Sequence, residues 1–278
     1  MSAFRSIAPA EAQAFVESGT AHVIDVRTPD EYRRLGHIPG AWLIPVDLIA
    51  AAPPILPRDD RPVLVCCEHG VRSVAACQWL AMAGVTPLLN MAGGMAAWTG
   101  PRVFGPGVVR GPSPWLLEHA NLIPAKARAL DLAAGRGRHA LLLAASGFAV
   151  TAVDRDADAL AALAEAAARV GAPLVTEVRD LETGDEVDLG EARFDLVLVF
   201  HYLHRPLFPA IVRALAPGGV LFYETFLAGQ AERGHPKNPA FLLDPGELVT
   251  RVAPLTVLAQ REGEVDGKLM ASVVARRD

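Results

Sequence analysis

The chain has 278 residues, 51% of them hydrophobic and 21% charged, with a net charge of −5. This length and apolar content suit two ordinary domains with substantial cores and exclude a disordered chain, while the acidic balance gives no bulk attraction for phosphate backbones or anionic lipids. No apolar run approaches the roughly 18 residues that cross a bilayer, and three cysteines fit neither a disulfide framework nor a zinc pattern, so a protein of the cytoplasm without leader or membrane anchor is expected.

Along the chain, short apolar runs alternate with Ala- and Leu-rich stretches, the pattern of parallel strands joined by crossover helices, and the fold class expected is α/β throughout. The first part predicts a helix from about Pro9, a strand at His22–Val26, a helix from about Thr28, strands at Ala41–Pro45 and Pro62–Cys66, and a helix from about Arg72. Proline and glycine concentrate in residues 101–114, which divides the chain into a domain of 1–102, a linker of 103–114 and a domain of 115–278. The second part predicts strands at Ala127–Leu132, Ala149–Asp154, Leu174–Val178, Phe194–Phe200 and Gly219–Phe226. A closing antiparallel hairpin, Leu255–Gln260 with Lys268–Ala275, is expected to turn around Gly263–Gly267, and Ala-rich 158–169 reads as a strong helix former.

The first constellation lies at the end of the strand PVLVCC, which runs into EHGVRS and then into the amphipathic VAACQWLAMAG. A cysteine at the end of a buried strand, followed by a short loop and a helix, sits where backbone N–H groups converge and stabilise a thiolate. Arg72 adds a positive charge, Gly70 permits the turn, and the same features stabilise an incoming sulfur anion. Strand alternation points Cys66 to the opposite face from Cys67, as a packed core thiol, and Cys77 falls on the apolar face of the helix. His37 and His69 are read as structural or rim residues rather than general bases.

Three motifs in order, IDVRTPDEYRRLGHIPGA, CEHGVRS and MAGGMAAW, resemble a single rhodanese domain over about residues 5–100. The resemblance implies a parallel sheet with flanking helices and a sulfurtransferase in which Cys67 carries the sulfane sulfur. It makes Glu68, His69, Gly70, Val71 and Arg72 the cradle, opens the next helix at Ser73, and lets Asp25 and Arg27 support the loop from below. Related phosphatases have a loop one residue longer, so phosphatase activity is the weaker alternative. Glu68 departs from the neutral or basic residue usual in the family; a carboxylate there opposes anionic donors, which argues against thiosulfate as the natural one.

The second constellation, ARALDLAAGRGRHALLLAASGFAVTAVDRD, presents a strand, a glycine-bearing turn, a helix and a second strand ending in an acid. Gly135 and Gly137 let the backbone approach a ligand, and Asp154 is placed to accept hydrogen bonds from ribose hydroxyls. Nicotinamide dinucleotide obeys the same logic, but Asp131, just ahead of the glycines, would repel a pyrophosphate and can support the cationic amino-acid end of S-adenosylmethionine. With VRDLE, FDLVLVFHYLHRPL and LAPGGVLFYETF following, residues 113–278 resemble class I methyltransferases with a Rossmann-like sheet, in particular the small bacterial group that includes tellurite-resistance methyltransferases.

By that resemblance Asp131, Ala133, Gly135 and Gly137 line the methionine end of S-adenosylmethionine, Asp154 holds the ribose, Asp180 and Leu181 sit near adenine, and His201 faces the methyl group or its acceptor. Ala133 stands where the family commonly has glycine. His201, Tyr202 and His204 cluster at a strand end as acceptor-site candidates, no metal site is expected because a third ligand is missing, and Arg136, Arg138 and His139 are read equally as anion ligands or a solvated helix start. The long polar stretch ETFLAGQAERGHPKNPAFLLDPGEL is a candidate lid, with Glu224, His235, Lys237 and Asn238 as candidate contacts.

The expected function is a bifunctional transferase: a Cys67 persulfide in the first domain, and methyl transfer to a small acceptor, such as a thiol or other chalcogen compound, in the second. One alternative is a methyltransferase with a noncatalytic regulatory or redox-sensing rhodanese module. Another is an RNA or protein methyltransferase linked to thio-modification, against which the acidic balance argues. The expected partners are a small sulfur donor and a small methyl acceptor, without membrane or nucleic acid.

Overall fold

The computed structural model of the chain describes residues 3–105, 111–125, 127–172, 174–183 and 187–278. Residues 106–110 of the expected linker lie outside the described residues. The chain divides into two compact units, the first built on residues 1–121 and the second on most of 122–278.

The first unit runs β1 (Arg5–Ile7), α1 (Pro9–Ser18), β2 (His22–Asp25), α2 (Pro29–Arg34), β3 (Trp42–Leu43), β4 (Val63–Cys66), α3 (Val71–Met82) and β5 (Leu88–Met91). Its five strands pair in the order β1-β5-β4-β2-β3, every pair parallel. A parallel sheet is covered on both faces, which is why β2, β4 and β5 are buried at every position and read as unbroken apolar runs. Tyr32, Ile38, Leu64, Met91 and Trp98 fill one side of this core. The sequence reading omits two of these strands, β1 and β5.

Local chemistry sets the helix ends. Pro9 and Pro29 occupy the first turns of α1 and α2, where their missing N–H costs nothing. On α2 the Thr28 side chain accepts from the Glu31 amide while Glu31 reaches back to the Thr28 amide, a reciprocal capping box.

After α4 (Pro114–Glu118) the second sheet begins: β6 (Arg128–Leu132), α5 (Ala140–Ala145), β7 (Ala149–Asp154), α6 (Ala157–Arg169), β8 (Leu174–Val178), β9 (Phe194–Phe200), α7 (Phe208–Ala214) and β10 (Leu215–Phe226). Then come α8 (Gln230–Arg233), α9 (Glu247–Arg251), β11 (Thr256–Val265) and β12 (Lys268–Arg276). The order is β11-β12-β10-β9-β6-β7-β8, parallel from β10 to β8 and antiparallel through β12 and β11. This is the expected α/β class, with the expected terminal hairpin.

Two details differ from the sequence reading. Strand β10 starts earlier, at Leu215, with a register shift between Leu215 and Val220 across Pro217-Gly218-Gly219. The hairpin turn is tighter than Gly263–Gly267: Val265 pairs with Lys268, and the two residues between them, Asp266 and Gly267, both have positive φ, as a two-residue turn matched to the strand twist requires.

The strand order reverses between the parallel neighbours β6 and β9: the chain first steps outward from β6 through β7 to β8, then returns to β9 and steps outward on the other side. In such sheets ligands bind beyond the carboxyl ends of the strands at this switch point. The residues there are Ala133, Asp154 and His201.

Candidate functional site

In the first unit Cys67 follows β4 and is buried, 1% exposed. The Gly70 amide donates to Cys67 Sγ at 3.1 Å, and Ser73 Oγ lies 3.4 Å from the same sulfur. The loop is held from outside by the second glycine-rich segment: the Met95 amide donates to the Cys67 carbonyl at 2.8 Å and the Ala96 amide to the Glu68 carbonyl at 2.9 Å. That contact demands Gly94, because a Cβ there would lie 2.3 Å from the Cys67 carbonyl oxygen. The MAGGMAAW motif is thus the strap that shapes the CEHGVRS loop.

The charged side chains are arranged differently from the sequence reading. Arg27 and Asp25 are wholly buried and paired, with Arg27 Nε and Nη2 donating to the Asp25 carboxylate at 2.8–3.1 Å. Burial pushes the Asp25 pKa up, and the guanidinium opposes that shift. Arg27 Nη1 also donates to Glu68 Oε2 at 2.6 Å. One Arg27 guanidinium is thus shared between the Asp25 and Glu68 carboxylates, so Glu68 is ion-paired while the cluster keeps more acids than bases.

Arg72, expected to lend its charge to the sulfur, forms a two-pronged pair with Glu31, Nη1 to Oε2 at 2.8 Å and Nη2 to Oε1 at 2.5 Å. This hydrogen bonding holds Glu31 down at a pKa of about 2 and raises Arg72. Val71, placed in the cradle, is the first residue of α3 and 76% exposed, and His69 stands exposed on the rim.

The other thiols behave as core. Burial pushes Cys66 well above its ordinary pKa and Cys77 up to about 12. His37 is buried with its ring stacked on Tyr32 at 3.6 Å.

The second unit holds a cavity of about 570 Å³ beyond the carboxyl ends of β6 to β9, of a size typical for small-molecule sites. Ala133, Asp154, Arg155, Arg179, Asp180, Leu181 and Glu182 line one part; His201, Tyr202, Leu203, Phe226, His235, Pro236 and Phe241 line the rest. Of the residues named from sequence, Ala133, Asp154, Asp180, Leu181, His201, Tyr202 and His235 meet here. Asp131, Gly135, Gly137, His204, Glu224, Lys237 and Asn238 are not in its wall.

Several of these support the site or pack elsewhere. Asp131 is 2% exposed beneath the turn, where its Oδ2 accepts from the Ala140 amide at 3.1 Å, and burial raises its pKa to about 7. Gly137 has left-handed backbone at φ +69°, and a Cβ there would also lie 2.4 Å from Leu163 Cδ1 on α6. Asp154 holds the turn itself, Oδ2 accepting from the Gly135 amide at 2.7 Å and Oδ1 from the Asp156 amide at 2.9 Å. Glu224 is buried against Arg261 at 3.0 Å and Ser272 at 2.8 Å, and Asn238 caps the short turn at Pro239–Phe241.

Two residues of the wall carry left-handed backbone without being glycine, Ala133 at φ +53° and His201 at φ +57°. The His201 ring stacks on Phe226 at 5.1 Å. Burial among the cavity walls, with Arg138 and Lys268 nearby, pushes its pKa down to about 4, so the imidazole is neutral at pH 7. Arg138 lies over the Phe200 ring at 5.9 Å, and His139 is buried beside the same ring at 4.2 Å, its pKa driven well down by burial. Phe226 and Phe241 carried no sequence signal, since an aromatic in an apolar run reads as core.

Comparison with known proteins fits this division. A rhodanese-like domain matches residues 8–101 and a methyltransferase domain matches residues 129–219. The chain is 37% identical over 99 residues to thiosulfate sulfurtransferase GlpE of Pseudomonas paraeruginosa, a match covering 34% of this chain and 84% of that protein. It is 36% identical over 86 residues to a sulfurtransferase of Allochromatium vinosum, covering 31% of this chain and 78% of the relative. Among solved structures, TehB from Haemophilus influenzae shares the fold over 60% of this chain and 63% of its own, with a TM-score of 0.52 and 19% identity. With a strand-end cysteine strapped into an amide loop in one unit and a switch-point cavity in the other, the chain belongs to the rhodanese-like family through residues 8–101 and carries a methyltransferase domain at residues 129–219, a two-domain transferase.

Proposed function

We propose that the chain catalyses two transfers: sulfane sulfur through a persulfide on Cys67, and a methyl group from S-adenosylmethionine to a small acceptor in the cavity of the second unit. For the first, the supporting observation is the 3.1 Å bond from the Gly70 amide to Cys67 Sγ within a strapped loop. An amide already aimed at sulfur favours the thiolate and then the persulfide without reorganisation.

For the second, the turn after β6 supports S-adenosylmethionine over a dinucleotide. The amides of Ala134, Gly135, Gly137 and Ala140 donate to the Val153 carbonyl, Asp154, the Ala134 carbonyl and Asp131. Those donors are therefore committed within the protein rather than offered to a pyrophosphate, and a buried carboxylate lies beneath them. The residues suit a nucleoside with a cationic tail. When bound, S-adenosylmethionine supplies an already activated methyl group on a sulfonium.

The protein's part is alignment and exclusion of water. Each Asp154 oxygen uses one lone pair on a backbone amide and keeps capacity for a ribose hydroxyl. Asp180 and Leu181 border the adenine side, and Asp131 faces the amino-acid end from below. His201, neutral and with a pKa of about 4, is a poor base for a hydroxyl or amine acceptor. That supports a thiol or other chalcogen compound, which ionises near neutral pH unaided.

Isothermal calorimetry with S-adenosylmethionine and with nicotinamide dinucleotide tests the cofactor: heat with the first alone is expected, and binding of the dinucleotide alone refutes the assignment. Thiocyanate formation from cyanide, abolished in Cys67→Ser, tests the sulfur transfer. A purely regulatory rhodanese module predicts none in either protein.

A further inference from the structure

Both guanidiniums around the Cys67 loop are engaged by carboxylates of the protein itself, and this bears on which donor the loop admits. Arg27 is committed to Asp25 and Glu68, and Arg72 to Glu31, so two guanidiniums stand against three carboxylates. Glu31 is itself fixed, because Oε2 also accepts from the Thr28 amide at 2.9 Å and from Thr28 Oγ1 at 3.0 Å as part of the α2 capping box. Arg72, close enough to Cys67 to feel a charge on the sulfur, is thereby held by α2 instead of being available to a bound anion. The motif arginine of the loop is disarmed by a residue 41 positions earlier in the chain.

Thiosulfate is a dianion whose sulfonate needs a cation, and a water-exposed His69 on the rim is a weak substitute because solvent screens it. A persulfide, R–S–SH, brings no such group. We infer that the Cys67 site takes sulfur from persulfides in preference to thiosulfate, and that Glu31, as a positioning residue acting through Arg72, sets this preference. The inference rests on the sulfur-transfer reading above.

In the step, the Cys67 thiolate attacks the outer sulfur of R–S–SH. The Sγ–S bond forms, the S–S bond of the donor breaks, R–S⁻ leaves with the bonding pair, and the perthiol proton stays on the transferred sulfur. With thiosulfate the same attack expels sulfite, and the two negative charges of that leaving group find no uncommitted guanidinium in the loop. Because Glu31 titrates only at about pH 2, acidification in the working range does not free Arg72, whereas substitution does.

The test uses the full chain, cyanide as acceptor, and two donors, thiosulfate and 2-hydroxyethyl hydropersulfide, with rates taken above the Cys67→Ser background. The wild type is expected to show a kcat/KM about tenfold or more higher for the persulfide, the scale of one charge-assisted bond withheld from the anion. Glu31→Gln is expected to raise kcat/KM for thiosulfate about tenfold, mainly through KM, to leave the persulfide within about twofold, and to lose the gain as salt is added. Glu31→Asp, whose shorter carboxylate also releases Arg72, is expected to shift the ratio in the same direction and carries the test should Glu31→Gln fail to fold. Equal use of both donors by the wild type, or a change in Glu31 variants that is the same for both donors, overturns the inference. Thiocyanate from neither donor overturns the sulfur-transfer reading itself.

Discussion

The Cys67 loop and the cavity of the second unit solve opposite problems. The loop must build its own anion, so it is closed: the sulfur is buried, amides point at it, and Arg27, Asp25, Glu68, Arg72 and Glu31 are satisfied among themselves. The cavity must receive a charged molecule, so it is left incomplete, with a neutral imidazole at His201 and strained backbone at Ala133 and His201 in its wall, and a desolvated carboxylate at Asp131 beneath the adjoining turn. A site finished in the free protein shows paired charges and ordinary geometry. A site completed by its ligand shows groups whose pKa is moved by desolvation rather than by an ion pair, and left-handed backbone at residues other than glycine.

If the loop is a finished device, its shape should not tolerate intrusion. Gly94→Ala places a Cβ against the Cys67 carbonyl oxygen at φ +61°, and a loss of about 4 kcal/mol in stability with at least about a hundredfold loss of thiocyanate formation is expected. Calorimetric melting and the cyanide assay read the two effects. Undiminished sulfur transfer in this variant would mean the strap does not shape the loop.

If the cavity is incomplete, removing its desolvated charge should stabilise the free protein. Asp131 has a pKa of about 7 folded against 3.8 in its ordinary state, so the folded chain holds more protons between those values and stability falls as pH rises through that window. Asp131→Asn is therefore expected to gain up to about 4 kcal/mol at pH 8 and almost nothing at pH 4, while weakening S-adenosylmethionine binding. Denaturation measured at both pH values checks the sign. A uniform gain, or none at pH 8, would show that Asp131 is not the strained acid of the cavity.

The smallest effect concerns backbone strain. Ala133→Gly relieves a left-handed alanine and is expected to stabilise the second unit by about 1 kcal/mol with little change in cofactor affinity. A loss of stability would show that the Ala133 methyl group earns its place by packing.

Local pattern was enough for much of this. The strands that form both sheet centres, the helix starts at Pro9 and Thr28, the terminal hairpin and the positions of Cys67, Ala133, Asp154 and His201 at strand ends are all written in runs, spacings and caps a few residues long. The capping box Thr28–Glu31 was legible as a helix start, because both partners lie within one turn of chain. Its second task was not, since nothing near Glu31 in sequence announces Arg72.

The same limit explains the other differences. Gly137 looks like a ligand glycine in sequence and Gly94 carries no role there, yet Leu163 and the Cys67 carbonyl are what a side chain at each would strike, and both come from other elements. Sequence specifies which groups exist and which local geometry each prefers; only folding decides which distant charge neutralises which and how deeply a carboxylate is desolvated. Electrostatic energy depends on separation in space and on exclusion of water, and neither quantity is carried by order along a chain.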